Sequence, residues 1–571
     1  MTPKEAGQHP GHRLLKWIGG SLLLALAIVA GVLLVLAHRV EPMLRARIVQ
    51  ELSDHFHAQV ELDSFHLDLR DGLRAEGKGL RIWPPTTAAG GVAPGTMPSG
   101  APLMQLAEFR FRAPIHYKPG EPIRISVIQM KGLEIDVPPR QHGDHQTTEK
   151  PPPAPNAEMP KVKTGVGGGL LRFEVAGVEC NGAHLTIETS KPGKLPLEFA
   201  IAHLRLSNIK SGESMKFEAE LTNPKPVGTI HTTGSFGPWE VDDPGQSAVT
   251  GDYKFEHADL GGFKGIAGVL SSVGHYEGVL RDLTVDGETD TPDFRLTHFG
   301  SPMALHTNFH AHVDGTNGDT WLEPVEATLG GSHFWARGKV VRVAPALDKE
   351  SGMEALGGGG HDIAMKVNVD RGRIQDFLRL ASKSGEPLMT GDLTTKAEFD
   401  ISPGQVPVEE RLKLSGTFSL EDVQFASDMV RSRIAELSAR GQGRPKDAKN
   451  ENQADVRSTM DGTFQMGGGV VTLSALEYTV PGVVIDLKGK YEVDGGTLDF
   501  KGTAKMDAKV SEMVGGWKGL LLKPVDRYFQ KEGAGTMVPI HIDGTRASPH
   551  FGVDIKEMKG TSAQRPDEPQ R

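Results

Sequence analysis

The sequence is poor in several things that usually announce a function. One cysteine, Cys180, stands in 571 residues, so there is no intrachain disulfide and no zinc site built from several thiolates. Basic excess is missing as well. Against 63 Lys and Arg there are 73 Asp and Glu, the net charge is -10, and no long basic run occurs, which removes nucleic acid as a partner. The patterns G-x-S-x-G, H-E-x-x-H and G-x4-G-K-[ST] do not occur, so hydrolase, zincin and nucleotide-binding chemistries lose their usual sequence support. The expectation is a protein that is no enzyme and needs no cofactor or metal. With 38% hydrophobic residues the chain is too polar for a multi-span membrane protein and too apolar for disorder.

A single long apolar run is present. No charge interrupts residues 17–37, and a helix of that length spans about 31 Å, which matches a bilayer core. Trp17, Leu22, Leu26, Val29, Leu33 and Leu36 would form the anchor. Lys4, Arg13 and Lys16 precede it and Arg39, Arg45 and Arg47 follow, so charge alone does not orient it. A cleaved signal peptide ending near Val35-Leu36-Ala37 is the rival reading, although the run exceeds the usual apolar core of such peptides. Val40, Leu44, Ile48, Leu52 and Phe56 then recur every fourth residue, as in an amphipathic packing helix over 38–57.

From residue 58 the period becomes two. Met215/Phe217/Ala219/Leu221, Ile363/Met365/Val367/Val369, Leu412/Leu414/Phe418/Leu420, Val483/Ile485/Leu487 and Phe551/Val553/Ile555 alternate apolar and mostly polar positions, as half-buried antiparallel strands do. Gly 70 and Pro 38 supply the turns. Strand-rich regions are expected at 58–137, 170–343 and 362–559. Polar or Gly/Pro-rich stretches at 84–101, 138–169, 344–361 and 441–455, with a tail at 560–571, read as loops. On the order of thirty strands about 4.8 Å apart would make an open sheet of roughly 140 Å.

Helical spacing is rare. Phe263, Ile266, Ala267 and Leu270 follow Asp259 at the same offsets at which Ile374, Phe377, Leu378 and Ala381 follow Asp370, and Val510, Met513, Val514 and Trp517 repeat the stripe. Helices are therefore expected near 259–272, 371–382, 427–440 and 507–530, with the aspartates as N-caps. Gly278, Asp286-Gly287, Pro292 and Phe294 recur with every spacing intact as Gly535, Asp543-Gly544, Pro549 and Phe551. That suggests a reused strand-helix-strand unit.

Other chemical candidates read more simply as structure. His310, His312 and Asp314 share a strand face and could ligate a metal, yet they alternate with Phe309, Ala311 and Val313 and so read as the wet side of a strand. Cys180 lacks positive flanks and reads as a small buried hydrophobe. Gly261-Gly262-Phe263-Lys264-Gly265 lacks dinucleotide-binding spacing.

The anchor and its helix, the stretch from Gln59-Val60-Glu61-Leu62 to Gly72-Leu73-Arg74-Ala75-Glu76-Gly77, Leu414-Ser415-Gly416-Thr417-Phe418 through Ile434-Ala435-Glu436-Leu437-Ser438, and Pro539-Ile540-His541-Ile542-Asp543-Gly544-Thr545 with Pro549 and Phe551 resemble the AsmA-like family of bacterial envelope proteins. The resemblance implies a mostly β fold: an N-terminal transmembrane helix followed by an elongated, curved, largely antiparallel β-sheet, groove-like, with a few short helices. It also implies a short cytoplasmic segment (1–16), an inner-membrane anchor and a periplasmic bulk. The implied work is phospholipid binding or transfer toward the outer membrane. Phospholipid, the inner membrane and envelope proteins of the periplasm or outer membrane are the implied partners. Candidate groove residues are Val483, Ile485, Leu487, Val538, Ile540 and Ile542. A support or assembly role in outer-membrane protein biogenesis, with a dry β interior, is the alternative, because alternation alone does not separate bound lipid from a second sheet.

Overall fold

A computed structural model describes, with short breaks, residues 41–83, 102–137, 173–343, 360–446, 456–514 and 535–553. The apolar run 17–37, the expected loops 84–101 and 138–169, most of 344–361 and 441–455, and the tail from 560 lie outside the described residues. Among the described residues no helix is long and apolar enough to cross a membrane. Strands dominate: twenty-five are described, against about thirty expected from spacing. The chain divides into two compact units, one holding residues 1–187, 198–221 and 235–244, the other 188–197, 222–234 and 245–571.

In the first unit, helix α1 (residues 41–50) precedes strands β1 (Val60–Asp68), β2 (Leu73–Ile82), β3 (Met104–Ala113), β4 (Ile123–Ile125), β5 (Ile128–Val137) and β6 (Phe173–Ile187). Most of β7 (Leu197–Ile209) and β8 (Met215–Pro224) also belongs to it. Alternation puts Val60 and Leu62 of β1 on one face, Phe65 joins the same core after the alternation slips by one residue, and the every-fourth-residue stripe of α1 lies over it. Leu44, Ile48 and Val49 pack on a closed core of thirteen buried residues that includes Leu62, Leu80, Leu106, Phe109 and Cys180. Two polar ties fix the helix: Glu41 Oε1 accepts from the Leu67 amide at 2.9 Å, and Arg45 Nε donates to the Leu62 carbonyl at 2.8 Å. Strands β1, β2, β3 and β5 pair antiparallel, but β4 and β5 pair parallel with β6. A parallel pair needs a long return of the chain between its strands.

The second unit is an antiparallel meander. After part of β9 (Val227–Phe236) come β10 (Ala248–Asp259), β11 (Ile266–Ala267), β12 (Val269–Val279), β13 (Asp282–Leu296), β14 (Met303–Asp314), β15 (Asp319–Leu329), β16 (Ser332–Val343) and β17 (Gly360–Arg373). Then follow β18 (Met389–Ile401), β19 (Leu412–Phe425), β20 (Thr459–Gly467), β21 (Val470–Val480), β22 (Val483–Glu492), β23 (Thr497–Met506), β24 (Thr536–Thr545) and β25 (Ser548–Val553). Each strand from β12 onward pairs with the next, and bulges such as Val369/Gly372 and Leu473/Leu476 bend the strands and curl the meander. Helices α2 (Ile374–Ala381), α4 (Asp428–Gly441) and α5 (Val510–Val514) all leave the same end of the strands, whereas the short α3 (Val408–Arg411) joins the other.

Helices α2 and α4 lie where the sequence places them, α4 starting behind Ser427, whose hydroxyl accepts from the Val430 amide at 3.5 Å. The helix expected near 259–272 does not form. Leu260–Gly262 makes one 3-10 turn capped by Asp259, and β11 and β12 fill the rest, because Gly265 (φ 97) and Gly268 (φ 139) need backbone angles that no α-helix contains. Asp370 is a strand residue and does not cap α2. The repeated motif is not a repeated structure either. Asp286, Gly287, Pro292 and Phe294 share β13, but Asp543 and Gly544 end β24 while Pro549 and Phe551 belong to the next strand. Of the helix expected at 507–530, residues 507–509 are not helical, α5 forms at Val510–Val514 and Asp526 is helical, while most of the rest lies outside the described residues.

Candidate functional site

The inward face of the second unit can be followed from strand to strand by register. One row runs from Gly338 (β16) through Met365, Phe399, Leu414, Met466, Val471 and Tyr491 to Leu498 (β23), each directly opposite the next. Every residue in it is half-buried, and none joins a closed cluster among the described residues. This is a lengthwise apolar stripe.

Toward the helical end the same face closes. The parallel row Leu393, Leu420, Met460, Tyr478, Ile485, Ala504, Val538 lies under the helices. Ile374 and Phe377 of α2 pack on Leu393, Leu420 and Val423, and Ile434 and Leu437 of α4 pack on Tyr478, Val480 and Val483. Leu420 is 2% exposed and Val483 2%. Hydrogen bonds seal that end: Ser332 Oγ donates to Asp376 Oδ2 of α2 at 2.8 Å, Ser438 Oγ of α4 to the Pro481 carbonyl at 2.9 Å, and Ser458 Oγ to the Val423 carbonyl at 2.7 Å. The face is thus shut along one rim and open along the other.

The floor between the rims is low because of glycine. Gly416 faces Phe464, Gly462 faces Phe418 and Gly489 faces Phe500 across neighbouring strands, and a methyl group added to these glycines would stand 3.0, 2.6 and 2.6 Å from the ring. Each ring lies across its glycine, covering the gap and stiffening the pair. The result is a shallow, apolar, nearly uncharged floor.

At its first strands the face changes character. Tyr253 Oη and Ser272 Oγ lie 3.0 Å apart, Tyr276 Oη and Thr232 Oγ1 2.7 Å, and Thr289 Oγ1 and Thr307 Oγ1 2.7 Å, so β9–β14 present paired hydroxyls where β16–β23 present Met, Leu and Phe. Burial pushes both tyrosines above their ordinary pKa.

The six candidate groove residues share this face. Ile485, Leu487, Ile540 and Ile542 are half-buried, as is Val538, and Gly502 and Ala504 of β23 connect them (Leu487–Gly502–Ile540, Ile485–Ala504–Val538). Val483 instead belongs to the closed core beneath α4. Sequence reading missed the longer row on β16–β20, although Met365 and Leu414 stood in the alternating stretches that marked the strands.

The remaining chemical candidates separate. His310 Nδ1 lies 2.7 Å from Asp286 and His312 Nδ1 3.6 Å from Asp282, on the outward face. Asp314 turns away to hold the β14–β15 turn, accepting from the Thr316 amide and hydroxyl and from Asn317. No cluster of His, Cys, Asp and Glu among the described residues could hold a metal ion. Cys180 is fully buried in the first unit's core, and desolvation raises its thiol pKa, which removes nucleophilic character. The chain matches no family model, no curated protein and no solved structure.

Proposed function

We propose that the protein binds and conducts phospholipid along the open apolar face of its second unit, as a non-enzymatic envelope protein of the AsmA-like kind. The anchor would be residues 17–37 in the bacterial inner membrane, with the bulk of the chain in the periplasm and envelope proteins as further partners. One observation carries this reading: the row from Met365 to Leu498 presents half-buried apolar side chains across seven strands, while the row under the helices is sealed. Exposed apolar stripes of that length mark a surface that meets an apolar ligand or partner. Acyl chains suit a floor with no fixed pockets and no buried charge.

A support role in outer-membrane protein biogenesis with a dry interior remains the second reading, favoured by the closed clusters under α2 and α4. Mass spectrometry of lipids carried by the purified full chain separates the two. Phospholipid at stoichiometric level, retained after detergent exchange and lost in Leu414→Asp, is the expected result; a lipid-free chain would contradict it.

A further inference from the structure

The opposite, outward face of the same meander carries a second feature that the apolar face does not explain. Trp321 and Trp335 are 42% and 43% exposed. They stand on adjacent strands: Trp321 lies opposite Lys339, four residues along β16 from Trp335, so their backbones are roughly 14 Å apart. Large aromatic rings left in water on a sheet face cost hydrophobic free energy, which a ligand stacking on them would recover. Two shallow depressions adjoin the indoles, one beside Trp335 and one beside Trp321; Arg337, Lys366 and Glu398 line both, and Glu323 and Asp400 line the one beside Trp321.

The polar groups around Trp335 are unevenly used. Lys366 is paired with Glu398 at 2.8 Å and Lys339 with Asp362 at 3.0 Å. Arg337 and Lys396 have no anionic partner among the described residues, and both line the depression beside Trp335. Asn368, directly opposite Trp335, donates its Nδ2 to Asp370 Oδ1 at 2.8 Å, which fixes the amide orientation; its Oδ1 is then buried and accepts nothing. Ser415 and Thr417 add hydroxyls to the same wall.

We infer that this outward face binds an acidic glycan. The C–H face of a sugar ring packs on the electron-rich indole, sugar hydroxyls bond to the Ser415 and Thr417 hydroxyls, and a carboxylate or phosphate on the sugar pairs with Arg337 and Lys396. The spacing of the two tryptophans suits an extended short oligosaccharide over a single sugar. The inference does not depend on what fills the apolar face.

Calorimetric titration of the detergent-solubilised full chain with tetragalacturonate, and with maltotetraose as the neutral counterpart, tests it. The expected result is binding of tetragalacturonate that is much tighter than of maltotetraose and weakens with salt. Trp335→Ala and Arg337→Gln should each loosen it at least tenfold, while Trp335→Phe should retain most of the affinity. Thermal melting checks that each variant is folded, and Lys396→Gln offers a second charge variant. Absence of binding to either sugar, equal affinity for both, or unchanged affinity in folded Trp335→Ala would overturn the inference. So would tryptophan-dependent sedimentation with phosphatidylglycerol vesicles in place of sugar binding, which would assign the indoles to a membrane interface.

Discussion

The first unit and the rows β16–β23 of the second are built from the same period-two alternation, yet one seals its apolar face and the other leaves it open. In the first, α1 lies across β1 and its neighbours, and thirteen residues form one closed core. In the second, the helices sit at one end of the strands and the described closed clusters contain three buried residues each. What differs is the supply of covering elements, not the strand pattern. A face of this kind is stable in the open state only if its floor is stiff without a lid, and the Phe-over-Gly pairs and the pairing of each strand with the next supply that stiffness.

The sharpest way to break the comparison is a buried charge. Leu106→Asp in the closed core of the first unit leaves an unpaired carboxylate where Leu106 is 1% exposed, and should cost several kcal/mol, enough to unfold that unit. Leu414→Asp on the open row should leave the melting transition within about 1 kcal/mol of the parent, because the carboxylate reaches water. Equal losses in the two variants would show that the open row is in fact packed. Next in size is truncation at the closed rim: Leu420→Ala should cost about 2–5 kcal/mol in a denaturant titration, against about 1 for Leu414→Ala. Gly462→Ala should cost about 1–3 kcal/mol by driving Phe418 off its glycine, seen as a lower denaturation midpoint, whereas Gly467→Ala, with open space around it, should cost less.

The smallest effect concerns pH. Tyr253 and Tyr276 have raised pKa values in the folded chain, so their contribution is fully present below the unfolded tyrosine value of about 10 and is lost as pH rises from there through the folded values. Stability followed from pH 8 to 11 should fall less steeply in Tyr253→Phe, and an unchanged slope would count against burial of that hydroxyl.

Much of the fold was legible because local pattern and global pairing agree. Alternation in 363–369, 412–420 and 483–487 marked strands that the structure contains, and the stripe Ile374/Phe377 marked α2, whose apolar side does meet the sheet. The stripe at Phe263–Leu270 failed because two glycines inside it adopt left-handed angles, so helical spacing of apolar residues was not helical backbone. The parallel β5–β6 pair was illegible for another reason: register between strands far apart in sequence leaves no local trace. For the candidate site, Ile485, Leu487, Ile540 and Ile542 were placed on one face from alternation alone. That Val483 is sealed while Leu414 is open depends on where α4 packs, which no alternation encodes.

The central claim is that the open row holds lipid and the sealed rim does not. A photoreactive residue placed singly at Leu414, Met466 and Leu420 of the full chain in its native membranes tests it directly. Phospholipid adducts are expected at Leu414 and Met466 and none at Leu420. Adducts at none of the three, with Leu414 and Met466 crosslinked only to protein, would contradict it.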